Sequence, residues 1–309
     1  MLLSIEIGGT KLQLVVGDDS ANLVERRRLD VPRNSRAEAI RSQIEQSLPG
    51  VVRTHKIAAA GVGFGGPVDW RTGRIARSHQ IEGWSGFDLA AWIGGLTRTP
   101  VFVDNDANVA ALGEASRGAG RGFNPVFYVT LGSGVGGGLV VDGTIYHGAT
   151  PGESELGHVR LDCAGTILES RCSGWAVDAR IRELRMREPD CLLARLSANA
   201  PRSPGGGEAK HLSSALAQGD AHAARILQET AADLALGLSH VVHLFHPAVI
   251  ILGGGLSQVG EPLREAVQAV LTPLLTDVFQ PGPPVILAAL GEDAVPVGAL
   301  RLAALALAG

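Results

Sequence analysis

One local pattern occurs three times along this 309-residue chain: an apolar run typical of a buried β-strand ends in a cluster of glycines. The clusters are Gly8-Gly9-Thr10-Lys11, Gly132-Ser133-Gly134-Val135-Gly136-Gly137-Gly138 and Gly253-Gly254-Gly255. Such turns leave backbone N–H groups free to surround anionic oxygens, and the hydroxyl of Thr10 or Ser133 adds a donor. A single glycine turn usually only reverses the chain, so the repetition is what predicts an α/β protein with anion-binding loops.

The middle cluster also contains the spacing G-x-G-x-x-G, at Gly132, Gly134 and Gly137, that is typical of dinucleotide-binding folds. A dinucleotide site needs a helix after this turn, whereas Leu139-Val140-Val141 continues as a strand. None of the clusters places Gly-Lys-Ser/Thr at the start of a helix, as a P-loop requires. Both the Rossmann and the P-loop interpretations are therefore disfavoured.

The two halves of the chain share a coarse order of elements. Each opens with a strand, a glycine turn and a returning strand, the first within residues 2–16 and the second within 126–141. This order predicts two similar α/β domains that face each other across a cleft. Gly118, Gly120 and Gly122 predict a hinge between them.

Helix signals lie between the strands. The capping-box pattern Ser35-Arg36-Ala37-Glu38 predicts a helix that ends near Leu48, before Pro49-Gly50.

Residues 234–260 include no Asp, Glu, Lys or Arg, which raises the question of a membrane span. Pro247 would break a spanning helix, so a buried helix, a turn, a buried strand and a glycine turn are favoured.

The charge balance excludes some classes of function. The chain has 27 basic and 31 acidic residues, a formal net charge of −4. A general nucleic-acid or membrane-surface binder needs a concentrated basic face instead. Glu6 follows Met1 too closely for the apolar stretch of a signal peptide. We therefore expect a cytoplasmic protein with no nucleic-acid and no membrane partner.

A polar constellation, Asp104-Asn105-Asp106-Ala107-Asn108, lies between a short buried strand and a helix predicted over 106–116. Two carboxylates and two amides at a strand end fit substrate recognition and proton acceptance. Asp106 could equally be only the N-cap of its helix, and the spacing leaves the two interpretations open.

A second constellation is Gly152-Glu153-Ser154-Glu155-Leu156-Gly157-His158, followed by Glu169. Carboxylates and an imidazole together suit a polyol, whose hydroxyls need both acceptors and donors. His158 with Cys163, Cys172 and Cys191 also raises zinc, but the spacing matches no common structural zinc site. The cysteines form no C-x-x-C pair and one is left over, so a disulfide framework is not expected.

Eight segments taken in order resemble the ROK family, named for repressors, open reading frames and sugar kinases. They are residues 5–11, 62–69, 104–113, 130–138, 152–158, Glu169 with Ser173-Gly174, 247–255 and 291–298. The resemblance covers essentially the whole chain, and eight ordered matches are far more specific than one glycine turn.

The resemblance implies an actin-like, hexokinase-type (ribonuclease H-like) fold, with two α/β domains around a cleft that holds nucleotide and sugar. It implies a small first domain at 1–117, rejoined by a C-terminal helix at 294–309, and a larger domain at 118–293. Closure on sugar binding would hinge near 117–122 and 292–295. Such proteins commonly form homodimers or homotetramers.

The implied activity is ATP-dependent phosphorylation of a sugar, with magnesium on the phosphates. Asp106 would take the proton from the attacking sugar hydroxyl. The other implied sugar-binding residues are Gly66, Gln80, Asn105, Glu155, His158 and Glu169. The implied ATP-binding residues are Gly8, Gly9, Thr10, Lys11, Gly132, Ser133, Gly134, Gly254 and Gly255.

The chain departs from the family pattern at three places. Glu6 replaces the usual Asp, and we expect it to act near the metal. The zinc-binding cysteines of many members fall on Arg160, Asp162 and Ile167, so zinc is not expected. Gln80 replaces an Asn, which puts the identity of the sugar in doubt.

A glucokinase-like hexose kinase acting at the terminal hydroxyl is the function we expect from this resemblance. Fructose, mannose and N-acetylated amino sugars stay open as substrates. A non-catalytic sugar-binding or regulatory protein is the principal alternative. A DNA-binding repressor is disfavoured, because family repressors carry a helix-turn-helix domain before the first glycine turn, which begins here at Gly8.

Overall fold

The computed structural model describes residues 1–9, 11–29, 31, 36–76, 82–150, 154–200 and 206–308. The strands in these ranges are β1 (Leu2–Ile7), β2 (Leu12–Gly17), β3 (Leu23–Leu29), β4 (Ala59–Phe64), β5 (Val68–Asp69), β6 (Arg74–Ile75), β7 (Val101–Asn105), β8 (Val126–Leu131), β9 (Val135–Val141), β10 (Thr144–Ile145), β11 (Val249–Gly253) and β12 (Val285–Leu287). The α-helices are α1 (Ala37–Thr54), α2 (Leu89–Thr97), α3 (Asp106–Arg117), α4 (Glu169–Cys172), α5 (Gly174–Arg187), α6 (Leu192–Leu196), α7 (Leu212–Ala217), α8 (Ala221–Phe245), α9 (Glu261–Leu274) and α10 (Ala294–Ala308).

The chain divides into two compact units: Met1–Gly122 with Gly138–Ser154 and Ala289–Gly309, and Phe123–Gly137 with Glu155–Ala288. This division places in the first unit three ranges that the family resemblance assigns to the second domain: 118–122, 138–154 and 289–293. Packing explains the grouping of 138–154, since a Cβ added to Gly138 would lie 2.7 Å from the carbonyl oxygen of Ala107 and 2.8 Å from Cβ of Ala111. Both alanines belong to α3 of the first unit.

The first unit is built on a five-stranded sheet in the order β3-β2-β1-β4-β7. Strand β2 is antiparallel to β1 and β3, whereas β1, β4 and β7 are parallel. All residues of β1, β2 and β4 are buried, as expected for a sheet covered on both faces. Leu3 and Ile5 join a core with α1 and α2, while Leu2 joins a separate core with α10.

Glycines allow α10 to approach its neighbours closely. A Cβ added to Gly298 would lie 1.7 Å from the carbonyl oxygen of Val109 in α3, and one added to Gly61 in β4 would lie 1.9 Å from that of Ala299. Backbone therefore packs directly on backbone here, which only glycine permits. The C-terminal helix thus packs against elements from the N-terminal part of the chain.

Glu114 of α3 joins two further segments of the first unit. Its carboxylate is fully buried and accepts hydrogen bonds from the backbone N–H groups of Ala119 (2.8 Å), Ala289 (3.2 Å) and Leu290 (2.8 Å). A buried carboxylate needs several donors to compensate for lost hydration. The chain before Gly122 and the chain after Ala288 are therefore held by one side chain.

The second sheet has the order β10-β9-β8-β11-β12, with β8, β11 and β12 parallel. β9 begins at Val135, earlier than the predicted start at Gly138, because the side chain of Val135 is buried. Helix α8 is capped at its start by Asp220 and ends at Phe245, where His246 follows as the C-cap with a left-handed φ of 47°. The uncharged stretch 234–260 thus forms the predicted helix, turn, strand and glycine turn. Within the described ranges, no helix combines the length and apolarity needed to cross a membrane.

The predicted end of α1 near Leu48 is wrong. The helix continues through Pro49 to Thr54, because Leu48 and Val51 on either side of the proline are both buried in the core. Tertiary packing of that face outweighs the local cost of proline. Arg36 occupies the N-cap position without a side-chain cap, while Ser35 lies outside the described residues.

Candidate active site

Three parallel strands of the first unit end at the same edge of the sheet. Gly8 follows β1, Gly65 follows β4, and Asn105 ends β7, which is followed at once by Asp106. Because β1, β4 and β7 are neighbours in that order, these positions lie side by side. The carboxyl edge of parallel strands is where α/β folds bind ligands.

Asn105 starts α3 and fixes its orientation. Its side-chain oxygen accepts from the backbone N–H groups of Ala107 (2.9 Å) and Asn108 (3.4 Å), and its amide donates to the carbonyl oxygen of Gly66 (3.1 Å). Asn105 is therefore the N-cap, and the alternative that Asp106 serves as the cap is wrong. Asp106 is the first helical residue, and its carboxylate is not needed as the cap.

The carboxylate of Asp106 lies in a confined place. A Cβ added to Gly65 would lie 3.4 Å from Oδ2 of Asp106 and 3.4 Å from Cα of Gly8. Burial, and then the negative charge of Glu6, raise the pKa of Asp106 from 3.8 to about 7, although nearby backbone N–H groups and Lys11 oppose the shift. At neutral pH this carboxyl group can therefore both accept and release a proton.

Glu6 on β1 is the second buried acid of this edge, with 7% exposure. Burial raises its pKa, and a hydrogen bond from the amide of Gln13 on β2 opposes the shift. Oε1 of Gln13 is buried and has no hydrogen-bond partner among the described residues. A carboxylate beside an unpartnered amide oxygen is the kind of donor set that suits a hydrated magnesium ion.

The first glycine turn is held by one backbone hydrogen bond within the turn and by another between the ends of β1 and β4. The N–H of Gly8 donates to the carbonyl oxygen of Lys11 (2.8 Å), and the N–H of Gly65 donates to that of Ile7 (2.8 Å). Gly9 and Lys11 complete the described part of this turn. Thr10 and Gln80 lie outside the described residues, so their predicted roles stay predictions.

The other two glycine turns lie together in the second unit. Strands β8 and β11 are parallel neighbours, and each runs directly into a glycine turn, at Gly132 and at Gly254. Gly254 has a φ of 83°, and a Cβ there would lie 2.7 Å from the backbone of Leu131. A Cβ on Gly255 would meet nothing within 4 Å, so the surface beside this turn is open.

Glu169 supports the middle glycine turn. One of its carboxylate oxygens, Oε2, accepts from the backbone N–H of Val135 (2.9 Å), and a Cβ on Gly134 would lie only 2.4 Å from the same oxygen. Gly134 is therefore required for this contact. The sequence pattern predicted Glu169 as a sugar-binding residue and did not reveal that it also holds the loop with Ser133.

Glu155 and His158 form an exposed pair in the same unit. Nδ1 of His158 lies 3.0 Å from Oε2 of Glu155, and the two side chains are 62% and 50% exposed. Exposed pairs of this kind contribute little to stability. Both groups thus remain accessible to a ligand.

Two site-related residues were missed by sequence reasoning. Gln13 is a single polar residue in the apolar run of β2, and that position was the available signal for its contact with Glu6. His147 contacts Asp104, and no local pattern indicated this contact across 43 residues of chain.

Comparison with known proteins places these features in a family. The family model described as ROK family matches residues 2–306. The chain belongs to the ROK family. Its sequence is 31% identical over 314 residues to a glucokinase of Thermotoga maritima, with 97% of this chain and 96% of that protein aligned.

Solved structures agree with this assignment. A ROK family glucokinase from Streptomyces griseus, in complex with glucose and AMPPNP, matches with a TM-score of 0.84 and 30% identity over 98% of both chains. A ROK hexokinase from Thermus thermophilus matches with a TM-score of 0.78 and 28% identity over 99% of both chains. The predicted family and the actin-like, hexokinase-type fold are confirmed.

Contacts among its own residues hold the 160–167 segment together. Arg160 and Ile167, at two of the family's cysteine positions, form an antiparallel bridge, and the carboxylate of Asp162 accepts from the N–H of Thr166 (3.0 Å). Arginine and isoleucine do not fit a structural zinc site. The described residues contain no cluster of three or more histidine, cysteine or acidic side chains that could hold a metal ion.

Proposed function

We propose that this protein is an ATP-dependent sugar kinase that phosphorylates the terminal hydroxyl of a hexose, with glucose as the first substrate to test. The observation that carries the proposal is the Asn105–Asp106 pair at the carboxyl edge of the first sheet. The similarity to a glucokinase and to ROK hexose kinases over nearly the whole chain supports it.

Asp106 is the base in this proposal. The sugar hydroxyl gives its proton to the Asp106 carboxylate, its oxygen bonds to the γ-phosphorus of ATP, and the bond to the bridging oxygen breaks to release ADP. A base with a pKa of about 7 can accept a proton near neutral pH. Asn105, held by its cap bonds to α3 and by its bond to Gly66, orients the same hydroxyl.

The glycine turns are the proposed phosphate and nucleotide sites. Backbone N–H groups of the Gly8–Lys11 and Gly132–Gly134 turns would face the phosphates, and Gly254 and Gly255 would line the adenosine pocket. Magnesium, when bound, would neutralise charge on the phosphates. We assign Glu6 to the neighbourhood of this magnesium ion, together with the unpartnered side-chain oxygen of Gln13.

Glu155, His158 and Glu169 are the proposed partners of the other sugar hydroxyls. The first two are exposed and accessible, and Glu169 retains one oxygen that no described contact occupies. An acceptor-rich set with one imidazole fits a polyhydroxylated substrate better than a simple alcohol.

The test is ADP release with magnesium-ATP across a panel of hexoses and N-acetylated amino sugars. Asp106→Asn should lose at least about 100-fold in kcat, the usual contribution of a positioned base. Asp88→Asn is the matched control. Asp88 caps α2 through the N–H of Ala91, which asparagine does equally well, and its remaining contact is an exposed ion pair with Arg74 (3.2 Å) of the kind that contributes little to stability.

Two other outcomes would contradict the proposal. Turnover that survives in Asp106→Asn would exclude Asp106 as the base. Absence of turnover on every sugar, together with sugar-dependent thermal stabilisation, would favour a non-catalytic sugar-binding protein.

A further inference from the structure

A second polar cluster lies in the first unit beside the Asn105–Asp106 pair. Nε2 of His147, two residues after β10, lies 2.6 Å from Oδ2 of Asp104 in β7. The side chain of Asp104 is 2% exposed and that of His147 is 13% exposed. Because an unpaired buried carboxylate is costly, a histidine that reaches this group from a distant part of the chain is a significant partner.

The other oxygen of Asp104 holds the start of α3. Oδ1 accepts from the backbone N–H of Asn105 (2.8 Å) and from the side-chain amide of Asn108 (3.0 Å). The Asp104 carboxylate therefore helps to fix the backbone of Asn105 and the side chain of Asn108. Asp106 is the next residue, so its carboxylate moves with that backbone.

The ring of His147 is itself fixed by stacking. The ring of Trp70 lies parallel to it, with centroids 4.2 Å apart and an interplanar angle of 11°. The guanidinium of Arg71 lies 5.0 Å from the Trp70 ring centroid, and its Nη1 donates to Oγ1 of Thr150 (2.9 Å). The segment 147–150 is thus attached at both ends to residues 70 and 71.

We propose that His147 is a positioning residue of the kinase reaction: through Asp104 it holds Asn105 and Asp106 in the orientation that accepts the sugar proton. Trp70 keeps the imidazole in the plane that this contact needs. The same imidazole thereby ties the 147–150 segment to the carboxylate that lies two residues before Asp106. This inference rests on the proposed function.

The decisive variant is His147→Phe, which keeps an aromatic ring for Trp70 and removes the donor to Asp104. We expect kcat to fall about 10- to 100-fold, the usual effect of losing a group that orients a functional residue. KM for ATP should change less than about twofold, because no ATP contact is assigned to this cluster. His147→Gln keeps an amide donor and should recover most of the lost kcat.

The chain offers a matched control. His55 and Glu25 form another pair in the first unit, also at 2.6 Å and with side chains 17% and 29% exposed. Neither residue touches the Asn105–Asp106 segment in any described hydrogen bond. His55→Phe should therefore leave kcat unchanged, which separates positioning from a general effect of removing a histidine–carboxylate pair.

Failure of this inference can be distinguished from failure of the proposed function. Wild-type protein that turns over no sugar would overturn the function itself. Active wild-type protein, with His147→Phe folded by circular dichroism and unchanged in kcat, would overturn only the role of His147. If His147→Phe does not fold, His147→Asn, whose amide is too short to reach Asp104, replaces it. Equal kcat in His147→Asn and His147→Gln would then overturn the inference.

Discussion

Asp106 has a consequence for stability that does not depend on catalysis. Its pKa is about 7 in the folded protein, against 3.8 for an unburied aspartate. Between these values the unfolded chain has already released the proton that the folded protein still holds. The free energy of unfolding therefore decreases as the pH rises through this range, at about 1.4 kcal/mol per pH unit. Asp106→Asn removes the titrating group and should abolish this loss.

The size of this stability loss follows from the difference of about three pH units between the two pKa values. It amounts to at most about 4 kcal/mol of unfolding free energy at pH 8. Because Asp106 keeps partial contact with solvent, about 2 kcal/mol is the more realistic gain. The variant should thus be more stable than the wild type at pH 8, and this advantage should diminish towards pH 4. Groups that titrate in both proteins contribute equally to both unfolding free energies, so they cancel when the variant is compared with the wild type.

Urea unfolding from pH 4 to pH 8, followed by tryptophan fluorescence, measures this difference. Trp70, Trp84 and Trp92 belong to the first unit, which contains Asp106, so the signal reports mainly on that unit. Asp88→Asn removes only a helix-capping carboxylate and an exposed ion pair with Arg74, so it should not reproduce the gain of Asp106→Asn at pH 8. A stability difference for Asp106→Asn that is equal at pH 5 and pH 8 would refute the raised pKa.

Two further predictions concern charge and packing. Glu6→Gln removes the charge that helps raise the pKa of Asp106. The acid limb of the pH profile of kcat/KM should therefore move to lower pH. An unmoved limb would contradict the electrostatic effect of Glu6 on Asp106. Gly298→Ala places a Cβ 1.7 Å from the carbonyl oxygen of Val109 and should cost about 3 kcal/mol of unfolding free energy in urea titrations. A Cβ on Gly95 meets nothing within 4 Å, so Gly95→Ala should be neutral or stabilising by up to about 1 kcal/mol. Equal destabilisation by Gly298→Ala and Gly95→Ala would refute the close-packing argument.

Much of the fold was predictable because its signals are local. Helix α8 and strand β8 have the predicted bounds, since an uninterrupted apolar periodicity between turn residues specifies both type and length. The order of glycine turns and the Asp104–Asn108 segment indicated which strand ends to examine. Helix α1 was predicted too short, because the burial of Val51 beyond Pro49 depends on partners that lie elsewhere in the chain.

The candidate site shows the same limit. The pattern identified Asn105 and Asp106 but could not decide which of them caps α3, because either side chain can accept from the first helical N–H groups. The structure decides it through the bond from Asn105 to Gly66, 39 residues away in sequence. It likewise shows that Glu169 holds the N–H of Val135, a contact that neither residue's neighbours reveal.

Four properties are evident from the amino-acid sequence: the two α/β halves, the glycine turns at strand ends, the ROK family pattern and the identity of the acids at the site. Those properties follow from periodicity, glycine spacing and residue type, which are readable along the chain. Three others emerge from the folded structure: the raised pKa of Asp106, the contact of His147 with Asp104 and the close approach of α10 at Gly298. These depend on burial and on distances between remote residues, which arise only when the chain has folded.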